Sequence, residues 1–156
     1  MTLLPQLAAL SAILSTGTVY GTDAFCALVL RSAIARVDDA TLTATMGNVH
    51  RFADRRMPVP GILGIIAALA ASVLAAVADH PAGSATAGAA FLLLLVWVLL
   101  YLRISAPINR KLTAAADAHE TPANARTLQQ DWDRIIVPRA VLQGLAVLAL
   151  GVSLIS

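Results

Sequence analysis

Two uninterrupted apolar runs constrain this chain more than anything else in it. Pro60 to Ala78 carries no charged residue, and neither does Ala82 to Leu102. Each is close to the roughly 20 residues an α-helix needs to cross the hydrocarbon core of a bilayer. Leu7 to Leu30 is a third run with a single charge, Asp23. A fourth, Ala140 to Ile155, is too short unless it reaches back to Ile135 and takes in Pro138 and Arg139. In lipid every backbone polar group must be satisfied internally, so each run reads as a helix. The composition agrees: 13% of residues are charged, against about 25% in soluble chains. The fold expected is all-α, an integral membrane four-helix bundle in a single domain over residues 1–156, with spans near 7–30, 60–78, 82–102 and 135–155. No Lys or Arg precedes Arg31, and the first run is too long for a secretory h-region, which argues against a cleaved signal peptide.

The basic residues give the orientation. Arg31, Arg36, Arg51, Arg55 and Arg56 lie between the first two spans. Arg103, Arg110, Lys111, Arg126, Arg134 and Arg139 lie between the last two or at their edges. The positive-inside rule makes both connections cytoplasmic and turns both termini outward in a cell membrane. A net charge of only +2 gives nucleic acid no claim as a partner. The one cysteine, Cys26, excludes an intrachain disulfide.

Between the first two spans the chain reads as an amphipathic helix on the cytoplasmic side, too polar to cross. Asp38 and Asp39 start it, with Asp39 as N-cap. Leu42, Met46, Val49 and Ala53 form an apolar stripe, and Thr43, Gly47, His50 and Asp54 a neighbouring polar one. Pro58, Pro60 and Gly61 then break it before the second span. Two readings of His50 follow: a solvated histidine among lipid headgroups, or a functional group sharing a face with Asp54. Asp23 and Arg139 are charges at membrane depth, where each needs a partner, and they are expected to pair. Arg139 either does so or snorkels to the phosphates. Trp97 and Tyr101 read as interfacial aromatics, and Thr113 to Asn124 as a cytoplasmic loop holding His119 and Glu120. The last helix is expected to start near residue 122. Small residues at helical spacing, including Gly17 and Gly21 in the first span and Gly64, Ala68, Ala71 and Ala75 in the second, suit close packing inside the bundle or a homo-oligomer face.

Three features together are more specific: Gly17, Gly21 and Phe25 in the first span; the run Pro107-Ile108-Asn109-Arg110-Lys111-Leu112; and Trp132 with Arg139 seven residues on. In these the chain resembles the anthrone oxygenase-like family of small four-span membrane proteins, long known only as a domain of unknown function. The resemblance implies oxidation of a reduced tricyclic phenol to a quinone by dioxygen, with no defined cofactor. Where many members carry a histidine four residues after the tryptophan, this chain has Ile136.

Two functions are therefore expected. One is a membrane-embedded oxygenase acting on a hydrophobic small molecule that enters from the membrane lipid. Its catalytic candidates are Asp23, His50, Asp54 and Arg139, with Asn109 and Trp132 binding substrate. In a metal-free form His50 or Asp54 is the base and Arg139 or Asn109 stabilises the anionic oxygen. In a metal form Asp23, His50 and Asp54 hold iron or another divalent ion. The other expectation is a non-enzymatic accessory or small-molecule-binding protein. The absence of an inverted repeat or a broken helix pair argues against a stand-alone transporter.

Overall fold

A computed structural model describes residues 3–156, and the described chain is helical with no strand. The elements are α1 (Leu3–Phe25), a π-helical turn (Cys26–Leu30), α2 (Arg31–Ile34), α3 (Asp39–Arg56), α4 (Pro58–Val77), α5 (Pro81–Leu100), a second π-helical turn (Tyr101–Ser105), α6 (Ala106–Asp117) and α7 (Ala125–Ser153). Four continuous helical stretches are long and apolar enough to cross a membrane: Leu3–Ile34, Pro58–Val77, Pro81–Asp117 and Ala125–Ser153. Each expected span has its helix, and three of the four helices run well beyond the apolar run that announced them. Met1 and Thr2, where the outward N-terminus is expected to begin, lie outside the described residues.

The chain divides into two compact units. The first comprises residues up to Gly21, Pro58–Val98 and Val141–Ser156, and is a bundle of four apolar helices. Its core is small: Ala9, Ala12, Ala68, Ala71, Ala87, Ala90 and Ala146 pack with Leu94 and Leu150. The large side chains point outward instead, as Leu14, Val77, Leu92 and Leu148 do. A soluble bundle would bury leucines and expose polar groups. Here the large apolar groups have lipid for solvent, and close backbone approach does the packing. Gly64 shows how close: a Cβ there would sit 2.6 Å from the Thr16 hydroxyl oxygen. Gly17 and Gly21 do no such work, since a Cβ at either meets nothing within 4 Å.

The second unit comprises Thr22–Met57 and Leu99–Ala140. Its apolar core gathers Ile34, Leu42, Met46, Ile108, Leu112, Leu128, Trp132 and Ile136. The amphipathic helix expected after the first span is α3, and α6 packs along it. Its N-cap is Asp38 rather than Asp39: the Asp38 carboxylate accepts the Thr41 N–H at 2.7 Å. Those hydrogen bonds hold the Asp38 carboxyl below its usual range. Asp39 is turned to Arg126, whose guanidinium also donates to the Ile34 and Val37 carbonyls and so pins the α2–α3 connection.

The buried face of α3 differs from the expected one as well. Leu42, Thr43, Met46, Gly47 and His50 are buried, so three of the four residues of the polar stripe face inward. Gly47 is the reason α6 comes so near: a Cβ would lie 2.6 Å from the Leu112 carbonyl oxygen. The break before the second span falls at Met57, with Pro58 opening α4, where a missing N–H costs nothing.

Two other boundaries move. Thr113 to Asp117 belong to α6, and the chain turns only after it, with His119 in the left-handed region at φ 56°. The Glu120 N–H bonds the Ala115 carbonyl and the His119 N–H that of Ala116, the paired closure of a Schellman motif. The last helix begins at Ala125, three residues after Pro122.

Candidate functional site

The candidate polar residues all belong to the second unit, and most are buried there. Asp23 and Arg139 form the expected ion pair: Arg139 Nη2 lies 2.9 Å from one carboxylate oxygen and 3.1 Å from the other. Both are only 5% exposed. Arg139 therefore turns inward rather than snorkelling. Its other terminal nitrogen donates to the buried Ser105 hydroxyl at 2.8 Å, and its guanidinium carbon stands 5.3 Å from the centre of the Tyr101 ring. A buried charge pair stays folded only when its remaining hydrogen-bonding capacity is met, and Ser105 and the Tyr101 face help meet it.

Tyr101 carries the network outward. Its hydroxyl donates to Asp54 Oδ1 at 2.9 Å, and Asn109 Nδ2 donates to the same oxygen at 2.9 Å. Tyr101 is thus a working member of the cluster rather than an interfacial aromatic. Tyr101 and Ser105 begin and end the second π-helical turn, where the Ala106 N–H reaches back to the Tyr101 carbonyl. Pro107 offers a cause: it has no N–H for the Arg103 carbonyl, and the helix takes a wider turn. Ser105 and Tyr101 are the members that sequence reading misses, and Pro107 is the signal that points to them.

His50 is 2% exposed, so it is not a headgroup histidine. Nor does Asp54 orient it, because Asp54 bonds Tyr101 and Asn109 instead. Its neighbour is Trp132, with ring centroids 5.2 Å apart and planes tilted by 55°. Burial, with the Arg139 charge adding to it, pushes the imidazole down to about 3. His50 is therefore a neutral ring near pH 7. It can accept or donate a hydrogen bond and is a weaker base than an ordinary histidine. The other expected base is Asp54.

Among the described residues of this unit, His50 Nε2, Asn109 Oδ1, Gln129 Oε1 and Trp132 Nε1 are buried with no hydrogen-bond partner. An unsatisfied buried polar group costs about 1–3 kcal/mol, and native proteins keep few of them. Two of these residues are in ring contact, and a third is linked to the same helix. His50 faces Trp132, and Asn109 bonds Asp54 one helical turn along from His50.

The donor set does not fit a metal. Among the described residues no group of three His, Cys, Asp or Glu side chains is placed to hold an ion. Asp23 is committed to Arg139, Asp54 to Tyr101 and Asn109, and His50 to an aromatic contact. The expected Asp23, His50 and Asp54 ligand set for iron or another divalent ion is therefore not assembled.

The cluster so described is a buried ion pair, a tyrosine–aspartate–asparagine relay and a neutral histidine beside a tryptophan. No family model, curated protein or solved structure matches the chain.

Proposed function

We propose that the protein is a membrane-embedded oxygenase-like enzyme that oxidises a lipophilic phenolic or polycyclic substrate with dioxygen. The observation that carries this reading is the set of unpartnered buried atoms on His50, Asn109 and Trp132, in the same unit as the buried Asp23–Arg139 ion pair. A phenol with one or two oxygen functions meets them: the Trp132 N–H donates to an oxygen, and Asn109 Oδ1 and His50 Nε2 accept from hydroxyls. Apolar walls from Leu42, Met46 and Ile136 suit the rings.

The chemistry asked of the protein is proton removal and charge stabilisation. Asp54, linked to Tyr101, takes a benzylic proton activated by the neighbouring phenol. The carbanion is held in the field of Arg139 and gives its electrons to dioxygen. Overall a CH2 group becomes a carbonyl, a four-electron oxidation. Dioxygen accepts the four electrons, one oxygen atom entering the carbonyl and the other leaving as water. In this scheme Arg139 acts through its field, because its Nη groups are already engaged with Asp23 and Ser105.

One observation favours a second reading, a small-molecule-binding protein without chemistry: Asp54 Oδ1 already accepts hydrogen bonds from Tyr101 and Asn109. Such a protein binds the phenol and consumes no oxygen.

Binding is tested through tryptophan emission. The chain has two tryptophans, so Trp97→Phe leaves Trp132 as the only one. Lipophilic tricyclic phenols are expected to quench it saturably, and Asn109→Ala or His50→Ala to weaken that binding about tenfold, the equivalent of one lost hydrogen bond. Equal quenching in all three proteins would place the ligand elsewhere.

The reading also makes both polar connections cytoplasmic and turns both termini outside. In a Cys26→Ala background, a cysteine at residue 82 is expected to react with an impermeant thiol reagent in intact cells. One at residue 118 is expected to react only after lysis. Labelling at residue 118 from outside reverses the topology.

A further inference from the structure

The face of α3 beyond the buried cluster forms a cleft with α6. Its volume is about 300 Å³, and it is lined by Arg51, Asp54, Arg55, Arg110, Thr113, Ala114 and Asp117. Three arginines against two aspartates leave the lining net positive, and the carboxylates are already occupied. Asp117 pairs with Arg51, and Asp54 Oδ1 accepts from Tyr101 and Asn109. Arg55 and Arg110 are exposed and form no ion pair among the described residues.

The positive-inside rule accounts for arginines on this side of a membrane. It does not account for their gathering on two facing helices around a cavity. Arg55 lies four residues after Arg51, one turn of α3, so the two rise along one edge while Arg110 stands on the other helix. Asp117 fixes Arg51 and leaves the other two guanidinium forks unpartnered, and no lysine lines the cleft. Planar forks that can bond two oxygens at once are the donors suited to a phosphoryl group. Thr113, also on the lining, bonds the Gly47 carbonyl and helps hold α6 against α3, so the walls are preformed.

We propose that this cleft binds a phosphoryl oxyanion through Arg55 and Arg110, with Arg51 as a fixed third cation. The group is either the headgroup phosphate of an anionic lipid or free inorganic phosphate. Because Asp54 lines the cleft and also closes the Tyr101 relay, occupancy is felt by the buried cluster.

Two probes tell the sources apart. Inorganic phosphate is titrated against the detergent-purified protein. In parallel, the protein is placed in bilayers of phosphatidylcholine with a graded fraction of phosphatidylglycerol. Thermal stabilisation is read in both. Wild type is expected to be stabilised saturably in at least one arm, and the Arg55→Gln/Arg110→Gln protein to need about tenfold more of that probe. Saturation in the bilayer arm alone identifies the lipid, and saturation with phosphate identifies the free ion. Ala114→Glu keeps every arginine and adds a carboxylate to the lining, so it is expected to weaken binding likewise should the double variant fold poorly. Arg134→Gln, outside the cleft, is expected to bind as wild type does. The proposal is overturned if neither probe stabilises wild type saturably. It is equally overturned if the cleft variants and Arg134→Gln shift binding by the same factor, which is general charge attraction.

Discussion

Asp23→Asn and Arg139→Gln are each expected to destabilise the protein by about 3–5 kcal/mol, the range seen when one partner of a buried ion pair is removed. Each variant leaves a charge with 5% exposure facing a neutral amide. Arg139→Gln is expected to be the worse of the two, because it also gives up the Ser105 hydrogen bond and the Tyr101 ring contact. The double variant loses the pair but strands no charge. It is expected to fall short of the sum of the single losses by up to about 3 kcal/mol. Simple additivity in thermal or denaturant unfolding would mean that the two charges do not depend on each other. Asp23→Leu/Arg139→Leu separates stability from function: apolar replacement of a buried pair is often neutral or better for folding, whereas the proposed chemistry loses its positive field.

Gly47→Ala is expected to be the second large effect, and its sign is decided by tertiary contact. In an exposed helix interior, glycine to alanine is favourable by about 1 kcal/mol. At position 47 the new methyl would run into the Ala116 Cβ and stand 2.6 Å from the Leu112 carbonyl oxygen. The second neighbour is backbone, so α6 itself must move. It would disturb the Thr113 hydroxyl bond to the Gly47 carbonyl as it does so. The expected net loss is about 1–3 kcal/mol, larger for Gly47→Leu. Ala116→Gly removes one of the two contacts and is expected to restore part of it. Gly17→Ala and Gly21→Ala, with nothing within 4 Å of the added methyl, are expected to be neutral or slightly stabilising. Equal losses at all three glycines would show that the cause is backbone propensity and not the α3–α6 approach.

The sequence made the spans legible because lipid leaves the backbone so few options. Their polar extensions were not, because an apolar run reports the thickness of hydrocarbon and not the length of a helix. The stretch from Thr113 reads as loop from its polarity, yet Ile108, Leu112 and Ala115 are buried at helical spacing and mark α6 through Asp117. The Asp23–Arg139 pair was foreseeable because an isolated charge at membrane depth is so costly. His50 was foreseen as a candidate with the wrong partner. Sharing a face with Asp54 made the two neighbours on paper, but Tyr101 and Asn109, forty-odd residues and more away in the chain, hold that carboxylate. Helical spacing sees only contacts within one helix. The second π-helical turn, which sets Tyr101 and Ser105 in place, is marked in the sequence only by Pro107.

Oxygen uptake by the purified protein, with a lipophilic tricyclic phenol as substrate, tests the proposed function most directly. The wild-type protein is expected to consume one dioxygen for each carbonyl formed. Asp54→Ala is expected to abolish uptake while remaining folded, His50→Ala to need about tenfold more phenol for the same uptake, and His80→Ala and His119→Ala, neither of them buried, to leave it unchanged. Full uptake by Asp54→Ala, or none by a wild-type protein that binds the phenol, would contradict the account.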